Sequence, residues 1–323
     1  MVAITRGNLR AGARAAGPVL EARAARRQPP GGSGDWLAGV ALGPAGMRRY
    51  RLYRPASLPR GERSPLMVML HGCGQDAATF ARSTRMNLLA ARQGFMVLYP
   101  EQDRLANAQG CWNWFDTRSG RAAAEAGLIM NAIDQVCLLY RVDRGQVALA
   151  GLSAGASMAA LLATRHPTRF RALVMHSGIP PGSAHSGLSA IGAMGGRRGA
   201  GALDAKAVAG AALWPPLLVI HGGADRVVAA SNAQAAVRLW AQAAGAQACP
   251  SRQVQRGQRY PMVVTEYRRS ARDTVATLVE IAPLGHAWSG GADGHAHSDG
   301  RGPDASRMAW AFAARQFTQA AVR

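Results

Sequence analysis

Val147-Ala148-Leu149-Ala150-Gly151-Leu152-Ser153-Ala154-Gly155 reads as a short apolar run, a tight turn and the start of a small-residue helix. The turn has the pattern G-x-S-x-G. Minimal side chains on both flanks let the backbone reverse sharply and lift a serine hydroxyl above the edge of a sheet. Given the Gly and Ser content, the string alone arises by chance in roughly one of four such chains, so its position decides its meaning. Here it directly follows the strand 147–150 and directly precedes the helix 154–164. Ser153 is therefore the expected nucleophile.

Outward from that turn, short apolar runs alternate with helical spacing. Strands are predicted at 47–55, 66–70, 95–99, 173–176 and 217–221, with alternating patterns at 262–267 and 274–281. A helix is predicted over 122–140, with Leu128, Ile129, Ile133, Val136 and Leu139 on one side, and another over 305–317. Apolar strands separated by helices imply a mostly parallel sheet covered on both faces, an α/β fold in one domain from residue 35 to 323. Ligands of such sheets bind beyond the carboxyl ends of the strands. Residues 182–212, rich in Gly, Ala and Ser with a weak helical patch at 188–194, are too long for a bare connection. They read either as a flap over the site or as a surface excursion.

A serine nucleophile needs a base, and the base an orienting acid, here in the order Ser, acid, His. The strand 217–221 ends in Gly222-Gly223-Ala224-Asp225, and the strand 274–281 runs into Pro283-Leu284-Gly285-His286. Both side chains thus fall at the sheet edge of Ser153. Asp225 has a plainer reading as the cap of a helix beginning near Ala230. Asp204 and Asp273 are rivals that follow no strand in the right order. His166 reads as a helix end and His176 and His221 as strand ends. His295 and His297 lie in a Gly/Asp-rich loop without the further ligands a metal needs. The oxyanion donors are expected to be the backbone N–H groups of Ala154 and Cys73, the latter between glycines in the loop after 66–70. No cofactor is called for.

The chain has 323 residues, is 48% hydrophobic and 17% charged, and carries a formal charge of +20. That excludes general disorder. No run of about 18 apolar residues is uninterrupted, so no membrane-spanning helix is expected, and no repeat of 20–50 residues recurs. Only one of the 38 basic residues is a lysine, Lys206, and the arginines are scattered through Ala- and Gly-rich sequence without a nucleic-acid motif. Specific nucleic-acid binding is therefore not expected. Residues 1–34 hold six arginines against one glutamate and end in a Pro/Gly run, which reads as a basic flexible segment. Its arginines interrupt the apolar core a secretory signal requires.

Seven motifs in order resemble the esterase family of poly(3-hydroxybutyrate) depolymerases. They are His71-Gly72-Cys73-Gly74-Gln75, Tyr99-Pro100-Glu101-Gln102, Gly110-Cys111-Trp112-Asn113-Trp114-Phe115, Gly151–Gly155, His176-Ser177-Gly178, His221-Gly222 with Asp225, and Gly285-His286-Ala287-Trp288-Ser289-Gly290-Gly291. The resemblance runs from about Arg48 to the C-terminus, and feruloyl and acetylxylan esterases share much of it. It implies an α/β-hydrolase with Ser153, Asp225 and His286 as triad. It also implies a catalytic domain alone, since no Thr-rich linker or polymer-binding module follows residue 323. The substrate implied is a hydroxyalkanoate oligomer or a polyester surface, with carbohydrate side-chain esters as the alternative and a non-catalytic granule coat as a remote one.

Trp112, Trp114 and Trp288 follow strands that end at the predicted cleft and are expected either to wall it for an acyl chain or to pack in the interior. Cys73 and Cys111 also follow adjacent strands at the site edge and form a candidate disulfide. Such a bond favours an oxidising compartment, as does the habit of the family, whereas the absence of an export signal favours the cytoplasm. Oligomeric state has no signature in the sequence.

Overall fold

The computed structural model describes residues 30–58, 61–197, 203 and 210–321. Most of the basic segment 1–34 and the central part of 182–212, Asp204 included, lie outside the described residues.

An eleven-stranded sheet organises the chain. In chain order its strands are β1 (Gly34–Gly43), β2 (Gly46–Pro55), β3 (Ser64–Leu70), β4 (Met96–Pro100), β5 (Val142–Leu152), β6 (Ala172–His176), β7 (Leu217–Gly222), β8 (Gln247–Ala248), β9 (Arg252–Val254), β10 (Met262–Ser270) and β11 (Asp273–Ile281). Their spatial order is β1-β2-β4-β3-β5-β6-β7-β11-β10-β8, with β9 also on β10. From β4 through β3, β5, β6 and β7 to β11 every pairing is parallel. The antiparallel hairpins lie at the two flanks. Consequently β3, β5, β6, β7 and β11 all deliver their carboxyl ends to one edge.

Side-chain alternation along these strands feeds two separate cores. Leu66, Val68 and Leu70 of β3 point to one layer, together with Leu149, Leu173 and Val219. That layer holds helices Arg121–Leu139, Ala154–Arg165 and Ser231–Ala244. Met67 and Met69 point to the other, with Ala150, Val174 and Ile220, against helices Ala77–Thr84, Met86–Gln93 and Ala305–Ala321. With Gly187–Met194 these seven helices are, in chain order, α1 (Ala77–Thr84), α2 (Met86–Gln93), α3 (Arg121–Leu139), α4 (Ala154–Arg165), α5 (Gly187–Met194), α6 (Ser231–Ala244) and α7 (Ala305–Ala321). The middle strands are buried on both faces, which is why they read as continuous apolar runs.

β1 had no counterpart among the predicted strands, because it is a flank strand of which only Ala41 is buried. Helix α3 is long and apolar enough by length and composition to cross a membrane, with 56% of the stretch buried inside the fold. Ile129, Ile133 and Val136 place it in the first core.

Candidate active site

Every candidate group sits where a parallel strand leaves the sheet. At the end of β5, Ser153 adopts φ 56° and ψ −124° and is followed at once by α4. A serine held at positive φ is strained, and such strain persists only where its surroundings enforce it. The two glycines of the turn supply that enforcement. A Cβ on Gly155 would lie 2.1 Å from the Leu70 carbonyl oxygen, and one on Gly151 would lie 2.4 Å from the Gly155 backbone. The Ser153 N–H donates to the His176 carbonyl at 2.9 Å, which fastens the turn to β6.

Asp225 stands three residues past β7, and His286 five residues past β11. Their loops are joined by backbone hydrogen bonds, from Gly223 N–H to the Ile281 carbonyl at 2.9 Å and from Ala224 N–H to the Leu284 carbonyl at 3.0 Å. Across that join His286 Nδ1 lies 2.7 Å from Asp225 Oδ2. The other carboxylate oxygen accepts the N–H groups of Val227 at 2.9 Å and Val228 at 2.8 Å. Burial pushes the Asp225 carboxyl up, but the His286 hydrogen bond and the two amides outweigh it and hold the group below its usual value. An ionised Asp225 puts the imidazole proton on Nδ1 and leaves a lone pair on Nε2. The cap reading of Asp225 fails, since α6 begins at Ser231 and Ala230 caps it without a side-chain bond. Asp273 opens β11 at the opposite edge and pairs with Arg269.

Three buried histidines brace these loops, two of which, His176 and His221, the sequence reads only as strand ends. His176 Nε2 accepts the Ser289 N–H at 3.1 Å, and its ring stacks on Trp288 with centroids 5.1 Å apart. One residue thus holds the nucleophile turn through its carbonyl and the His286 loop through its imidazole. Burial, with His221 and His286 nearby, depresses its pKa to about 3. His71 Nε2 accepts the Gln102 N–H at 3.1 Å, and burial depresses its pKa to about 4. The only advance signal was that both sit inside quoted motifs. His221 Nε2 donates to the Val228 carbonyl at 2.9 Å and lies 3.5 Å from Asp225 Oδ2, beneath the acid loop.

The loop after β3 is fixed from behind. Gly72 N–H donates to Gln75 Oε1 at 2.9 Å and Gly74 N–H to the Gln109 carbonyl at 2.9 Å. Cys73 is disulfide-bonded to Cys111, with Cα atoms 4.3 Å apart. Beneath it Arg48 donates to Gln102 Oε1, and Gln102 donates to Glu125 at 2.8 Å and to the Cys111 carbonyl at 3.0 Å. Glu125 also accepts the backbone and side-chain N–H groups of Asn113 at 3.0 and 2.6 Å. A buried network of this kind fixes geometry more than it adds stability, and here Arg48 Nε lacks a partner. Among the described residues neither Cys73 N–H nor Ala154 N–H meets an acceptor.

The three tryptophans do not wall a cleft. Trp112 and Trp288 are 0% exposed and Trp114 is 7% exposed. The Trp112 indole donates to the His71 carbonyl at 3.0 Å and the Trp288 indole to Ser306 Oγ at 3.1 Å, while Trp114 packs edge-on against Phe115. Trp112 thus supports the loop after β3, and Trp288 the His286 loop, from inside. Sequence position told which loop each rides on, but not which way it turns. Leu188 and Ile191 of α5 face outward, 85% and 65% exposed. The end of α5 is tied to the start of α6 by Asn232 Nδ2, which donates to the Ala193 carbonyl at 2.9 Å. The ring centroid of His297 lies 6.1 Å from that of His286. Among the described residues no three His, Cys, Asp or Glu side chains are grouped to hold a metal.

The chain is 31% identical over 155 residues to poly(3-hydroxyalkanoate) depolymerase C of Paucimonas lemoignei, covering 48% of this chain and 36% of that protein. It therefore spans about a third of that relative's length. It is 24% identical over 240 residues to the probable acetylxylan esterase A of Aspergillus clavatus, covering 69% of this chain and 75% of the relative. Among solved structures, the acetyl xylan esterase from Aspergillus awamori superposes with a TM-score of 0.59 at 19% identity, over 78% of this chain and 94% of that one. That likeness establishes the α/β-hydrolase fold. Residues 48–254, well over half of the chain, match the family described as esterase PHB depolymerase, and the chain belongs to that family.

Proposed function

We propose that this chain is a serine carboxylester hydrolase acting through Ser153, His286 and Asp225 on poly(3-hydroxybutyrate) or hydroxyalkanoate oligomers. The observation that carries the proposal is the 2.7 Å His286–Asp225 bond, set at the same sheet edge as a serine held on a positive-φ turn. In the reaction, Ser153 Oγ attacks the ester carbonyl as its proton passes to His286 Nε2. Asp225 stabilises the imidazolium and fixes its tautomer. The N–H groups of Cys73 and Ala154 stabilise the oxyanion. Collapse of the tetrahedral intermediate breaks the ester C–O bond, and the alcohol leaves with the proton from His286. Water then attacks the acyl-enzyme by the same route in reverse, releasing the acid and restoring Ser153.

The polyester reading draws on the family match and the depolymerase relative. The broader coverage of the acetylxylan esterase supports a second reading, in which acetyl or feruloyl groups on carbohydrate are the substrates. The Cys73–Cys111 disulfide favours an oxidising compartment. Parallel assays on hydroxybutyrate oligomers, acetylated xylan and methyl ferulate separate the readings. A kcat/KM at least tenfold higher on the oligomers supports the first, and the reverse order replaces it with the second.

A further inference from the structure

The loop that follows His286 closes on itself and brings a second imidazole beside the first. Two short strands, β12 (Trp288–Ser289) and β13 (Ser298–Asp299), pair in parallel and form its neck. Trp288 N–H donates to the His297 carbonyl at 2.8 Å, and Gly290 N–H to the Asp299 carbonyl at 2.8 Å. Within the loop, Ser298 Oγ donates to the Ala292 carbonyl at 2.7 Å, and Ala292 N–H to the Ser83 carbonyl of α1 at 2.8 Å. His297 stands at this neck with φ 56°. A glycine meets that backbone requirement without steric cost, so the turn itself gives no reason for an imidazole. His297 is exposed, and among the described residues its ring has no hydrogen-bond or ion-pair partner. The ring instead stands edge to face against His286, with centroids 6.1 Å and planes 84° apart. The side chains of Asp225, His176 and His221, which also lie near His286, are all buried.

Position decides which half of a substrate meets His297. In the sheet, β3 with the loop of Cys73 lies on one side of β5, while β7 and β11 with Asp225 and His286 lie on the other. An ester bound at Ser153 therefore points its carbonyl oxygen toward Cys73 and its leaving oxygen toward His286. That leaving oxygen comes within about 3 Å of Nε2 to receive the proton. His297 thus flanks the alcohol half of the ester. We infer that His297 recognises this half by donating an imidazole N–H to a carbonyl group whose carbon lies three bonds beyond the leaving oxygen. A 3-hydroxyacyl unit has that spacing, because its alcohol carries the next carbonyl of the chain. A plain aliphatic alcohol has no acceptor there. The inference rests on the proposed triad and on the hydroxyalkanoate reading, and it makes His297 a specificity residue for the unit that leaves.

Two butanoyl esters test it with the full chain. Methyl 3-butanoyloxybutanoate carries the carbonyl on its alcohol, and pentan-2-yl butanoate has the same branching without it. The readout is the ratio of their kcat/KM values, first over second. Loss of one neutral hydrogen bond should lower that ratio about fivefold in His297→Gly, which keeps the backbone conformation without the ring. His297→Phe keeps a ring without a donor and should lower the ratio as much. If that variant fails to fold, His297→Gly still decides. A ratio within about twofold of wild type in His297→Gly would overturn the inference, and an equal fall on both esters would make His297 a positioning residue for His286 instead. A wild-type ratio in His297→Phe would overturn it in favour of ring packing. A lowered ratio in His297→Gly, found together with a wild type inactive on amorphous poly(3-hydroxybutyrate), would support the contact and remove the polyester reading, so the two fail separately.

Discussion

Two of the three imidazoles buried among the described residues, His71 and His176, hold loops of the site. His71 has its pKa held at about 4 and His176 at about 3, in both cases chiefly by burial. Each ring accepts a backbone N–H through Nε2, so each must stay unprotonated there to keep its loop in place. An exposed histidine titrates near 6.5. The unfolded chain therefore binds more protons than the folded one between about pH 6.5 and the folded values. Stability from these groups is complete above that window and is lost as the pH falls through it. One pH unit corresponds to about 1.4 kcal/mol per proton. At pH 5, some 1.5 units below the unfolded value, each histidine has forfeited about 2 kcal/mol, and the pair about 4 kcal/mol relative to pH 7.5. Urea unfolding at the two pH values measures the loss, and His176→Gln isolates one share of it. The glutamine amide oxygen can accept the Ser289 N–H without titrating. Repulsion from the +20 charge acts on both proteins and cancels in the difference. The wild type should lose about 2 kcal/mol more than His176→Gln between pH 7.5 and 5. An equal loss in the two proteins would refute the assignment of His176 as a buried neutral acceptor.

Two further substitutions probe the site. Asp225→Asn keeps an oxygen for the amides of Val227 and Val228 but offers an N–H₂ group to His286, so the imidazole proton moves to Nε2. Stopped assays on p-nitrophenyl butyrate should show kcat/KM lower by about 10⁴ with KM changed only a fewfold. The double variant Cys73→Ser/Cys111→Ser removes a cross-link spanning 38 residues. Urea unfolding should then show a loss of about 4 kcal/mol on the chain-entropy model. Because Cys73 carries a proposed oxyanion donor, kcat should fall about tenfold while KM holds.

The elements that position the site were legible because their sequences leave few alternatives. β5 and its turn are apolar residues followed by two glycines whose missing Cβ atoms make room for Leu70 and for each other. Asp225 and His286 each end a buried parallel strand, so chain order alone placed them at one edge. β8 and β9 escaped because they have two and three residues and are largely exposed. The direction of the tryptophans stayed open because a loop position fixes neighbourhood alone. The roles of His71 and His176 were invisible for a related reason: each acts through a hydrogen-bond partner more than 30 residues away in sequence. Arg48, Gln102, Glu125 and Asn113 likewise read as ordinary polar residues until the fold buries them together.

The most direct measurement is release of 3-hydroxybutyrate from amorphous poly(3-hydroxybutyrate) by the wild type and by Ser153→Ala, with p-nitrophenyl butyrate alongside. The wild type should release acid from both substrates, and Ser153→Ala from neither above about one part in 10⁴ of the wild-type rate. Cleavage of both substrates by Ser153→Ala at near wild-type rates would contradict the nucleophile. Cleavage of the aryl ester alone by the wild type would retain the triad and contradict the polyester substrate.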